Sequence, residues 1–193
     1  MKKFLFLIAV CCLTTTATKA QDVLNEIVKT SLSITNDTTL SREVRKAAVF
    51  KYDAMSYLRS KVLPPNVLLE QKISADSLNA CIKMLNEQAY AMNQYVTLYQ
   101  KRLSEAKKRN KGMVRSLFKQ ATIDHKLFND SDTEITLAYF NRSDYPIQFC
   151  LDCDWIKTLA FIRSIDWSLP NFLKVKAVFS PHFLARLCTS TER

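Results

Sequence analysis

Between Ser74 and Lys108 apolar residues recur at alternating steps of four and three: Leu78, Ile82, Leu85, Ala89, Met92, Val96, Tyr99, Leu103 and Ala106. That alternation marks a helix packed lengthwise on a neighbour, and at 1.5 Å per residue it predicts a rod roughly 50 Å long. A sparser second stripe, Met84, Ala91, Tyr95 and Leu98, asks for more than one neighbour.

The flanking stretches carry the same helical period. Val23, Leu24, Ile27, Val28 and Leu32 predict a short amphipathic helix from Asp22 to Ile34. Ser41 is placed to cap a second helix, with Glu43 in its first turn, and Pro64-Pro65 stops it. This Arg42–Leu63 helix is the expected main partner of the long one. Beyond Lys108, Val114, Leu117, Phe118 and Ala121 resume a helix after Gly112, where the chain is expected to end or bend. Ser131 and Glu134 read as a capping box opening a buried helix through Ile135, Ala138 and Tyr139. Asp144 and Pro146 predict another start, running to Ile165. Ser168-x-Pro170 and Ser180-Pro181 predict two short terminal helices.

Composition narrows the class further. The 193 residues contain one glycine. Tight hairpins, phosphate-cradling loops and dinucleotide fingerprints all need glycines at fixed places. The expectation is therefore an all-α, single-domain helical bundle of five to seven helices around one long central helix. Residues 21–166 form that domain, and residues 167–193 are short helices or a partly ordered tail. Lys2 and Lys3, the apolar run Phe4–Leu13 and a small residue at Ala20 have the layout of a secretory signal peptide over residues 1–20. The expected location is thus exported, periplasmic or secreted, with no transmembrane segment. Val10 before Cys11 does not fit a lipid-anchor site.

Phe50–Ala54, the long helix, Leu117–Lys119 and Leu137–Phe140 through Trp155 together resemble small exported helical proteins of Bacteroidales. The resemblance spans roughly Gln21 to Ile165. It implies an envelope or secreted location and carries no active site to transfer.

Candidate chemistry is sparse. Cys150 and Cys153 are spaced for thiol–disulfide exchange, and a helix N-terminus would acidify the first thiol. No strand precedes them as in thioredoxin-like enzymes, and no second pair completes a zinc site. A plain disulfide or two buried thiols is the simpler reading. Asp130, Asp132 and Glu134 alternate as calcium ligands do, but Ile135 and Asn141 stand where the loop needs glycine and glutamate. Helix capping accounts for them better. His125 and His182 fall in no protease spacing, and Asn36 and Asn141 open glycosylation sequons that matter only in a glycosylating host.

The charge is lopsided, with 28 Lys and Arg against 18 Asp and Glu. Lys107, Lys108, Arg109, Lys111 and Arg115 form a run that suits an anionic surface, or simply stays solvated while favouring a helix C-terminus. Without interleaved aromatics it does not suit nucleic acid. No catalytic residue, metal or cofactor is expected. The leading expectation is a non-enzymatic binding protein with a protein or envelope partner. A thiol redox protein and an anionic-surface binder are the alternatives.

Overall fold

A computed structural model describes residues 23–64 and 73–167. The expected signal peptide and the two terminal helices lie outside these residues. Residues 23–36 are helical (α1), followed by α2 (Arg42–Val62) and the long α3 (Ala75–Glu105). A 3-10 turn (Lys108–Asn110) leads into α4 (Lys111–Asp124), the single turn α5 (Thr133–Thr136) and α6 (Trp155–Ser164). No strand occurs among the described residues. The architecture is the expected all-α bundle.

Local chemistry sets the first two boundaries. The Ser41 hydroxyl accepts the Val44 amide and the Ser74 hydroxyl that of Ser77, satisfying amides that have no partner inside the helix. The α2 ladder closes on Leu63, and Pro64 cannot extend it.

α3 is the axis. Leu85, Ala89, Met92, Val96 and Tyr99 of its seam are buried, and Ala91 and Tyr95 of the second stripe turn inward as well. Its most extensive interface is with α6, ahead of α2 and α4. The expectation that α2 is its main partner is corrected by this. α6 and the chain entering it deliver Phe149, Trp155, Leu159 and Ile162 to the core. Phe149 and Trp155 meet Phe50 of α2 and Tyr95 of α3 edge-on, with centroids 5.2–6.1 Å apart.

Residues 137–154 depart most from the sequence reading. The helix expected from Asp132 onwards lasts one turn, and Asp132, not Ser131, caps it by accepting the Ile135 amide. The helix expected from Asp144 begins only at Trp155. The turns between are pinned to α2 by side chains: the Tyr139 hydroxyl donates to Asp53, and Lys46 pairs with Asp144 at 2.9 Å. The Lys46 ammonium and the Arg142 guanidinium both lie over the Tyr145 ring, 4.6 and 4.4 Å from its centroid.

Candidate functional site

Two places carry the sequence-predicted site residues. Cys150 and Cys153 bracket Asp152 in a non-helical crossing between α5 and α6, and this crossing is wholly interior. Cys150, Asp152 and Cys153 are each 0% exposed. The crossing has no helical ladder, so its amides find partners elsewhere. Cys150 donates to the Thr122 hydroxyl at 3.0 Å, Leu151 to the Thr136 carbonyl at 2.9 Å and Asp154 to the His125 carbonyl at 2.8 Å.

The Asp152 carboxylate is the hub. One oxygen accepts the amides of Leu127 and Phe128 at 3.3 and 2.8 Å, and the other accepts that of Asp130 at 2.8 Å. Three amides on one buried carboxylate offset its desolvation and fold the 125–131 loop around it. Asn129 takes a left-handed φ of 52° within that wrap, which asparagine tolerates better than most residues. The Asp130 side chain faces outward to Lys61 and to the Tyr57 hydroxyl, at 2.5 and 3.0 Å. Lys61 is the main cause that holds its carboxyl down at about 2. The calcium-like triplet is thus dispersed, with Asp130 on Lys61, Asp132 capping α5 and Glu134 exposed.

Burial pushes the Cys150 thiol up to about 11 and the Cys153 thiol well above its ordinary value. The Cys153 sulfur lies 3.2 Å from the Thr158 hydroxyl. An exchanging thiol needs exposure and acidification, and these two have neither. Their environment is that of structural thiols. His125 caps α4 and sets its ring 5.3 Å from that of Phe161, with no catalytic carboxylate bonded to it among the described residues. No cluster of three or more His, Cys, Asp or Glu suited to a metal occurs among the described residues.

The second place is the α3–α4 junction. The basic run does not continue α3. The helix stops at Glu105, Ala106 caps it, and Lys107 leads through the 3-10 turn to Lys111, the first residue of α4. Gly112 therefore sits inside the first turn of α4, and the break precedes it.

Lys101 and Arg102, in the last turns of α3, pair with Glu105 and suit the negative end of that helix dipole. Lys111 and Arg115 stand at the positive end of α4, where the dipole opposes cations. That end has no acid in its first turn and no side-chain cap. Lys107, Lys108 and Arg109 are exposed, and together with Lys111 they form no ion pair among the described residues. Arg115 differs, because it reaches the Tyr99 hydroxyl.

Sequence reasoning missed two side chains of α3. Asn86 accepts the Leu24 amide at the start of α1, and Gln88 accepts the Trp155 amide at the start of α6. Both are buried, although their polarity places them on a solvent face in any sequence pattern. No family model, curated protein or solved structure matches this chain.

Proposed function

We propose that this chain is an exported, non-enzymatic binding protein that engages an anionic surface of the cell envelope through the α3–α4 junction. One observation carries the reading. Lys107, Lys108, Arg109 and Lys111 crowd five positions without a matching carboxylate, and Lys111 stands at a helix N-terminus whose dipole opposes it. Elsewhere in the fold several basic side chains have a carboxylate partner: Lys46 and Arg142 pair with Asp144, Lys61 with Asp130, and Lys101 and Arg102 with Glu105. Exposed cations crowded at one place without a partner of their own suit an external anion. The leader-like first twenty residues support the location.

Sedimentation with vesicles of phosphatidylglycerol, and with neutral phosphatidylcholine as control, tests the reading. Binding is expected to the anionic vesicles only, weakening steeply between low and physiological salt as the surface charges are screened. A variant with Lys107, Lys108, Arg109 and Lys111 changed to Gln should lose it. Retention by that variant, or binding indifferent to salt, overturns the reading.

A further inference from the structure

A cleft of about 540 Å³ lies between the C-terminal half of α3 and the end of α6. Among the described residues its wall is apolar at Leu98, Ile162, Ile165 and Trp167 and charged at Arg102, Arg163 and Asp166, so that polar and apolar surface share it about equally. The volume falls in the range of small-ligand sites. Arg102 lies in the last turn of α3, which ends at Glu105, two residues before Lys107 opens the junction.

Trp167 is held in place as a wall. Its indole N–H donates to the Ile162 carbonyl at 3.3 Å, its ring tilts on Phe118 with centroids 5.9 Å apart, and the Arg102 guanidinium lies 5.0 Å over it. Arg163 donates to the neutral amide oxygen of Gln94 at 2.5 Å. Asp166, the acid on this wall, is engaged by a neighbour.

We propose that this cleft takes the apolar chain of an anionic lipid, whose charged headgroup is met by Arg163 and by Arg102, the latter turning from its 3.4 Å contact with Glu105. The inference rests on the anionic-surface reading and makes it specific. A purely electrostatic grip needs no apolar recess beside it, whereas a lipid presents a chain and a charge at one point, and aromatic–cationic pairs suit that interface. The lysines of the junction then meet neighbouring headgroups.

The test titrates the full chain with dodecyl phosphate, inorganic phosphate and neutral dodecyl maltoside, all below micelle formation, and follows tryptophan emission. Trp155 is fully buried, so a shift reports on Trp167. Dodecyl phosphate is expected to bind at least about tenfold more tightly than either control, because only it offers both chain and charge. Ile165→Asp, and separately Arg102→Gln with Arg163→Gln, should each weaken it by a similar factor. Equal binding of dodecyl phosphate and inorganic phosphate overturns the cleft assignment, and so does equal binding of the neutral detergent. No response in a chain that still sediments with anionic vesicles also overturns it, while leaving the surface reading standing. Loss of vesicle binding removes the surface reading itself.

Discussion

The Gln88 side chain of α3 accepts the amide N–H of Trp155 at 2.8 Å and donates to the Asp154 carboxylate at 3.2 Å. One residue of the long helix thereby seats the first turn of α6, whose own cap is Asp154, accepting the Lys157 amide at 3.2 Å. Asn86, two positions earlier, does the same for α1 through the Leu24 amide at 2.9 Å. The long helix therefore organises the bundle with two buried amides as well as with its apolar seam.

Replacing Gln88 by Leu leaves the buried Trp155 amide without an acceptor, at an expected cost of about 1–3 kcal/mol in urea unfolding. Gln88→Glu retains an acceptor for Trp155 but sets a carboxylate against that of Asp154. It should destabilise more at pH 7 than at pH 4. An effect independent of pH would show that the Asp154 contact plays no part.

Asp152→Ala removes the acceptor of three amides, and each bond to a charged group contributes about 1.5–3 kcal/mol. A loss of about 3 kcal/mol or more is expected. Hydrogen exchange at Phe128 and Asp130 should accelerate well before exchange in the middle of α3. Uniform acceleration throughout would place the role of Asp152 elsewhere.

The thiols make a prediction of their own. In native protein at pH 8, peptide-resolved alkylation should label the half-buried Cys81 first and leave Cys150 and Cys153 protected. An unfolded thiol ionises near 9.0, whereas folded Cys150 holds its proton to about 11. Unfolding therefore releases a proton between these values, and this contribution lowers stability as pH rises from about 9 to 11. Prompt labelling of Cys153 in folded protein would revive the redox alternative.

The Lys61–Asp130 pair acts at the acid end. The Asp130 carboxyl is depressed from 3.8 to about 2, chiefly by Lys61. Its stabilisation is fully present above pH 3.8 and is lost as pH falls through about 2. Lys61→Met should flatten the decline of the urea midpoint over that window. An unchanged slope would assign the acid sensitivity to other carboxylates.

Gly112 lies inside the first turn of α4, without a positive φ and with nothing within 4 Å of an added Cβ. Gly112→Ala should stabilise by about 0.5–1 kcal/mol and raise the melting temperature by about 1–4 °C. A lower melting temperature would mean that the junction needs the freedom of glycine.

Much of the fold was legible because its causes are local. Ser41, Ser74 and Pro64 mark boundaries by chemistry within one turn, and the seam from Leu85 to Tyr99 follows from helical period alone. The residues from Leu137 to Asp154 were not legible. Their apolar density looks helical, yet Asp53 and Thr122, from distant parts of the chain, bond Tyr139 and the Cys150 amide, and the Thr136 carbonyl takes the Leu151 amide. The cysteine pair was visible as a spacing, but its burial was not. The cationic run was visible as composition, but not its displacement onto the start of α4.

By itself the sequence determined the class of the fold and the long axial helix, because near-absence of glycine and a repeating apolar period act through neighbours in the chain. Only the tertiary structure decided that α6 is the main partner of that axis and that Asp152 gathers three amides. It alone showed that both thiols are shielded, and that Lys107, Lys108, Arg109 and Lys111 stand unmatched. Each of these depends on which groups meet after distant segments pack, and burial and charge pairing belong to that assembled environment rather than to any residue's own sequence context.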